Sequence, residues 1–356
     1  MLKRMTCLVV TIAAAVLLNA GCQGPSRKTS DRSLPKSDWG LWKYDMGTKG
    51  VTYRGLTQHT FTQSGEDFDP CISNDGKWIF FASTRHSRNP DIYMKKVNEK
   101  VIVKKTKDPG ADIQPAVSPD GKLMAFASNR NGNWDIWVTE VKKHVNPRQI
   151  TRDGRNSIQP CWSRDGKKLL FVTYNPVGCQ WEIWEKDFET EELKNLGPGQ
   201  FAKYSRPEGK YVVFQKPRNR DIPWYSIWSM NTRGDQLTEI IQSSKWAAIT
   251  PDWSPDGNKI AFATIHKSFT SKAEDRKYEG DDVWMVKTDG TSLVRLTVDP
   301  SPDWNPVWSP DGRIFFISKR NGFQNIWSIR PLPLDKPETE KIGSVDEIVS
   351  KEKDNK

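Results

Sequence analysis

Histidine is scarce in this sequence: four occur in 356 residues, His59, His86, His144 and His266. They stand at unrelated places, whereas a metal centre built on imidazole needs several to converge, so no shared centre is expected and all four read as surface residues. No Gly-x-Ser-x-Gly segment occurs, which removes the nucleophile elbow of an α/β-hydrolase. No pair of carboxylates recurs at a spacing suited to general acid–base work. Long apolar runs are missing too. The run from Cys7 to Leu18 falls short of the roughly 20 residues a spanning helix needs, and no second candidate follows it. Cysteine is limited to five positions.

The start of the chain has a different use. Lys3 and Arg4 precede the apolar run, and Leu18-Asn19-Ala20-Gly21-Cys22 places small residues before a cysteine. This is the layout of a secretory signal peptide over 1–21. Its end resembles a bacterial lipobox, in which the cysteine receives diacylglycerol and becomes the new N-terminus. Asn19 replaces the usual aliphatic residue, so ordinary cleavage near Ala20 or Gly21 stays open. A lipidated Cys22 followed by Gln23 fits sorting to the outer membrane, facing the periplasm. Residues 22–37, rich in Ser, Lys, Arg and Pro, read as a flexible tether. Loss of Lys3 and Arg4 reduces the net charge from +10 to +8. Such a charge favours anionic partners such as lipid head groups, envelope polysaccharide or acidic proteins, while secretion disfavours nucleic acid. Cys71, Cys161 and Cys179 would meet an oxidising compartment. Cys71 and Cys161 hold the same place in two repeats, which a ring would keep apart, so both are read as small packing residues.

What the chain has in abundance is tryptophan, 16 residues all beyond position 38, and a repeated pattern. Pro251-Asp252-Trp253-Ser254-Pro255-Asp256-Gly257 followed by Lys259 to Thr264 reads as strand, tight turn, strand. It returns at 70–83, 115–128, 160–173 and 306–318, with a degraded copy at 203–215. The Asp-Gly or Glu-Gly turns begin at 75, 120, 165, 208, 256 and 311, a period near 45 that suits a four-stranded propeller blade. Asp-Gly between apolar runs is a hairpin signal, because both residues tolerate positive φ. A third strand recurs as Asp91-Ile92-Tyr93, Asp135-Ile136-Trp137, Glu182-Ile183-Trp184, Ser226-Ile227-Trp228, Asp282-Val283-Trp284 and Asn325-Ile326-Trp327. Outer strands end in Leu56-Thr57, Ile150-Thr151, Leu237-Thr238 and Leu296-Thr297, with weaker counterparts at Lys105-Thr106 and Leu196. The fold class is therefore all-β: a six-bladed β-propeller of four-stranded antiparallel blades over 38–330. N-terminal strands at Asp38 to Asp45 and Val51 to Thr57 complete the last blade, leaving no free edge. The charged segment 331–356 is a tail.

Phased copies of P-x-W-S-P-D-G, D-I-W/Y and L-T resemble the TolB-type β-propeller family. The resemblance implies a periplasmic propeller that serves as a protein-interaction platform. TolB itself carries an α/β domain ahead of the propeller, where this sequence has a short tether, so its Tol-Pal partners are not carried over. The repeat also resembles that of prolyl-oligopeptidase-like and tricorn-type proteases, but 26 residues after the last repeat cannot hold a hydrolase domain. Oligogalacturonate lyases, a further resemblance, use a metal held largely by histidine, which the scattered histidines do not supply.

Loops entering the first strand of each blade and loops joining the second to the third open on one side of the ring. The former carry Asp67, Asp69, Asp112, Asn156, Trp246 and Trp304, the latter Arg85, Arg130, Trp134, Trp181, Trp224, Arg320 and Phe323. Tryptophan and arginine are favoured interface anchors. Pairing of Asp with Arg between blades and Trp packing over loop backbone form the competing reading for any single residue. The loop His266 to Asp281 is longer than its counterparts and adds Lys267, Lys272, Arg276 and Lys277 to the same side. The expected function is a non-catalytic, monomeric, lipid-anchored scaffold binding a protein or peptide partner, without cofactor. A protein that binds or acts on carbohydrate in the central pocket, with Trp stacking on sugar, is the alternative.

Overall fold

A computed structural model describes residues 52–333 apart from 144, 220–221, 244–245, 267–280 and 299, and without the side chains of 218, 219, 222–224 and 266. The signal segment, Cys22, the tether, the strand expected at Asp38 to Asp45, the tail beyond 333 and most of the long loop lie outside the described residues.

Among the described residues, twenty-four strands form six antiparallel sheets of four. β1 (Tyr53–Gln58) comes first but belongs to the last blade. Blade 1 is β2 (Asp67–Ile72), β3 (Trp78–Ser83), β4 (Asp91–Lys96) and β5 (Ile102–Lys104). Blade 2 is β6 (Asp112–Val117), β7 (Leu123–Ser128), β8 (Asp135–Glu140) and β9 (Arg148–Gln149). Blade 3 is β10 (Ser157–Trp162), β11 (Lys168–Asn175), β12 (Gln180–Asp187) and β13 (Leu193–Pro198). Blade 4 is β14 (Gln200–Tyr204), β15 (Tyr211–Asn219), β16 (Ile222–Asn231) and β17 (Thr238–Ile241). Blade 5 is β18 (Trp246–Trp253), β19 (Lys259–His266), β20 (Val283–Lys287) and β21 (Val294–Arg295). Blade 6 is β22 (Asp303–Trp308), β23 (Ile314–Ser318) and β24 (Asn325–Pro331), completed by β1.

The second strand of each blade is apolar on both faces because neighbouring blades cover it. Phe80, Phe126, Phe171 and Phe214, one from each of blades 1 to 4, join one continuous core. Each such side chain contributes on the order of 1.5–3 kcal/mol by leaving water. The turn before it is fixed locally: Ser73 Oγ donates to Asp75 Oδ1 at 2.6 Å and accepts the Trp78 N–H at 3.0 Å, with Gly76 at φ 70°.

Ring closure follows the predicted clasp. β1 pairs antiparallel with β24, Arg54 opposite Arg330 and Gln58 opposite Trp327, and β2 packs against β22. One register differs from the sequence reading. In three blades the outer-strand threonine caps the third strand: Thr106, Thr151 and Thr297 accept the N–H of Ile92, Ile136 and Val283. In blade 6 this role falls to Thr60, which accepts from Ile326 at 3.0 Å, whereas Thr57 is exposed and its hydroxyl donates to Gly55 O. A bulge in β1 shifts the phase past Leu56-Thr57.

His59, expected at the surface, is buried at this seam. Its N–H donates to Ile326 O, its carbonyl accepts from Lys95 Nζ at 2.6 Å, and its ring meets Ser328 Oγ at 2.8 Å and packs on Phe315. The seam needs a compact side chain with two polar ends, and imidazole supplies one. His86 is exposed, as expected.

Candidate functional site

The arginines of the loop side are held inside their own blades. Arg85 Nη2 grips both oxygens of Asp67 at 2.8 and 2.7 Å, its Nε donates to Ser83 Oγ, and its guanidinium lies 5.3 Å from the ring centres of both Phe81 and Tyr93. Arg130 repeats this with Asp112, Ser128, Phe126 and Trp137, and Arg320 with Asp303, Ser318, Phe316 and Trp327. Asp–Arg pairing is thus within blades, joining the first strand to the loop after the second, and not between blades. The pattern D…S-x-R with an aromatic on the second and third strands is a folding element that repeats wherever all its members are present. Burial raises the Asp112 and Asp303 carboxyls while each arginine pulls its partner back down.

Two of the tryptophans are also turned inward. Trp181 and Trp246 are 5% and 6% exposed, the latter stacked on Phe262 and Trp284. Trp134 and Trp304 are half-buried against the core. The side chain of Trp224 lies outside the described residues. What does reach solvent on this side is aliphatic and phenyl surface. Phe61 and Val298 in loops entering blades 1 and 6, and Val177 and Phe323 in joining loops of blades 3 and 6, are exposed. Phe61 and Phe323 are tied to one side chain. Asn325 Oδ1 accepts from Thr60 Oγ1 and the Thr62 N–H on either side of Phe61, and its Nδ2 donates to Phe323 O. Of these residues only Phe323 was legible in advance, since isolated loop hydrophobics carry no periodic signal.

The channel mouth on this side is built by a bulge repeated in every innermost strand. Asp69, Gln114, Gln159, Phe201, Thr250 and Asn305 all have left-handed φ between 50° and 59°, an uncommon conformation that re-aims the side chain toward the axis. Their polar groups form a relay. The Gln114 N–H bonds the Asp69 carboxylate, Gln114 Oε1 accepts from Gln159 N at 2.9 Å, and Gln159 Oε1 accepts from Phe201 N at 2.7 Å. Asn305 Nδ2 returns to Asp69 Oδ1 at 3.1 Å. Asp69 keeps one oxygen unpartnered, and burial raises its carboxyl to about 7. The recurring x-Pro of the innermost strand was the available signal; proline marks the residue after the bulge in every blade but the fourth, which has Ala202. Cys71 and Cys161 line the channel further along as partly buried free thiols. Among the described residues, no three His, Cys, Asp or Glu side chains converge to hold a metal ion.

A closed ring of six four-stranded blades, with Arg85, Arg130 and Arg320 committed to the framework and exposed apolar groups on the loops, defines a six-bladed β-propeller. The family profile described as the TolB beta propeller domain matches residues 52–240. The chain belongs to the TolB β-propeller family. The TolB homolog of Chlorobium luteolum is 27% identical over 146 residues, covering 32% of this chain and 33% of that protein. The chain spans 33% or less of the length of the curated relatives it matches. Among solved structures, the putative TolB from Agrobacterium tumefaciens superposes with a TM-score of 0.56 at 21% identity, over 76% of this chain and 91% of that one. An oligogalacturonate lyase from Vibrio parahaemolyticus shares the fold, with a TM-score of 0.52 at 16% identity over 78% of this chain and 93% of that one.

Proposed function

We propose that this chain is a lipid-anchored protein of the bacterial cell envelope that binds a protein or peptide partner through the loop side of its propeller and performs no chemistry. The observation that carries this is the pair Phe61 and Phe323, 61% and 41% exposed, held beside the closing blade by Asn325. Exposed phenyl groups on hydrogen-bonded loops bury large area at little entropic cost when a partner docks. Resemblance to TolB proteins supports an envelope location and a protein partner. The signal segment 1–21, Cys22 and the tether 22–37 support anchoring, with Gln23 favouring the outer membrane. Recognition of sugar by stacking has less support, since Trp181 and Trp246 present no free face.

Crosslinking the full chain in host envelopes and comparing captured proteins tests the docking side. A partner captured by wild type and by an Arg313→Gln variant on the turn side, but lost with Phe61→Ser/Phe323→Ser, is the expected outcome. Retention of the same partner by the double variant removes the loop side from the reading. Fatty-acid labelling tests the anchor, and a Cys22→Ser protein that remains labelled sinks it.

A further inference from the structure

The other mouth of the channel, framed by the Ser-x-Asp-Gly turns, carries three cations against one carboxylate. A cavity of about 100 Å³ there is lined by Cys71, Cys161, Lys203, Asp252, Arg164 and Arg206. Five innermost strands place Cys71, Ala116, Cys161, Asp252 or Val307 at the position after the bulge proline or next to it; blade 4 places Lys203 there. The residue after the turn serine is Asn74, Pro119, Pro255 and Pro310 in four blades, but Arg164 and Arg206 in the adjacent blades 3 and 4. Three cations therefore meet at positions where the repeat elsewhere has none. Their one carboxylate, Asp252, already accepts the Trp308 N–H at 2.7 Å. Arg164 spends one nitrogen on Asn74 Oδ1 at 3.0 Å, and its buried Nε has no partner. Among the described residues, no hydrogen bond or ion pair engages the Lys203 ammonium or the Arg206 guanidinium. Burial and the Arg206 charge both disfavour protonated Arg164. The loop-side cations Arg85, Arg130 and Arg320 are paired with buried carboxylates, whereas, among the described residues, Lys203 and Arg206 are partly exposed at the channel mouth without such a partner.

We propose that the turn-side end of the channel is a binding site for a small oxyanion of the phosphate type, gripped by Lys203, Arg206 and Arg164. A forked guanidinium and an ammonium together match the oxygens of such an anion. The cavity has the room of about three waters at ~30 Å³ each, enough for one tetrahedral anion or the phosphate end of an ester. The site lies at the opposite mouth from Phe61 and Phe323 and stands or falls independently of partner docking there.

Calorimetric titration of the full chain with sodium phosphate, at constant ionic strength set by sodium chloride, tests this. Glycerol phosphate in parallel separates free anion from ester, and saturable binding of either supports the site. Loss of one charged contact should weaken binding about tenfold or more in Arg206→Gln and in Lys203→Met, with Lys122→Gln, an exposed lysine on another turn, unchanged. Where Lys203→Met does not fold, Arg206→Gln and Arg164→Gln on the turns decide. Absence of saturable binding by either titrant, or undiminished affinity in Arg206→Gln, overturns the proposal.

Discussion

His59 makes the closing seam of the ring sensitive to acid. Its ring sits between β24, which supplies Ser328, and blade 1, whose Val97 carbonyl faces the other nitrogen at 3.4 Å. Burial, opposed by the Val97 carbonyl and reinforced by the nearby Lys95 and Arg313 charges, lowers its pKa from 6.5 to about 4. In the unfolded chain the imidazole takes up a proton near 6.5, while the folded ring resists until about 4. Stability contributed by the neutral ring is thus complete above the unfolded value and declines as pH falls from 6.5 toward 4. A difference of about 2.5 units at ~1.4 kcal/mol each corresponds to about 3 kcal/mol. Urea denaturation of wild type and His59→Gln at pH 7.5, 6, 5 and 4 measures this directly, since glutamine keeps polar ends without a proton to gain. Wild type should lose about 3 kcal/mol more than the variant over that range. Parallel stability curves would refute the argument, showing that the ring is protonated in the fold or that the seam opens without unfolding the rest.

Asp69 should behave in the opposite sense: its folded pKa of about 7 lies above 3.8, so stability present at low pH is lost as pH rises through 7. Asp69→Asn should gain on wild type by at most about 4 kcal/mol between pH 4 and 8, and a pH-independent difference in urea midpoints would count against it. In the blade clamp, Arg85→Met strands the buried Asp67 and should cost about 3 kcal/mol. Adding Asp67→Asn should recover part of that loss, so strictly additive costs would show that the pair does not act as a unit. Gly121 and Gly257 occupy the same turn at φ 71° and 73°, but a Cβ at Gly257 would lie 2.0 Å from Arg206 O and one at Gly121 touches nothing within 4 Å. Gly257→Ala should lower Tm well beyond the roughly 1 kcal/mol backbone cost shared with Gly121→Ala; equal shifts would mean that the turn relaxes away from blade 4.

Propeller architecture was legible because each blade repeats the same solution to the same problem. An Asp-Gly turn, an apolar second strand and an aromatic on the third are dictated by backbone chirality and by burial between neighbours, and each leaves a period in the sequence. Closure was legible for the same reason, apart from the bulge in β1 that transferred the cap from Thr57 to Thr60. The site was read less well. Arg85, Arg130 and Arg320 looked like anchors because arginine on a loop is ambiguous from composition alone; only the position of the Asp two strands' turns away shows that the guanidinium is already engaged. Phe61 and Val298 left no period to detect, and the burial of His59 is not legible locally because it depends on contacts between the first and last strands of the propeller.

Blade 4 brings these lines together. Its repeat is degraded in the innermost strand, where Phe201-Ala202-Lys203 replaces the x-Pro pair, and decay by itself would break the polar relay at Phe201, whose ring cannot accept a hydrogen bond. The relay is nonetheless carried from blade 4 to blade 5. Gln215 on β15 reaches across so that its Oε1 accepts from Thr250 N at 2.8 Å, and its Nε2 donates to Gln200 Oε1 at 3.2 Å. Gly199 lets the chain enter this strand against the core, since a Cβ there would come within 2.6 Å of the Phe214 ring. Compensation of this kind keeps the ring intact around an altered strand. What the altered strand and its turn then present to the channel is Lys203 and Arg206. The least regular copy of the repeat supplies two of the three unpaired cations, and it does so without loosening the scaffold that holds them.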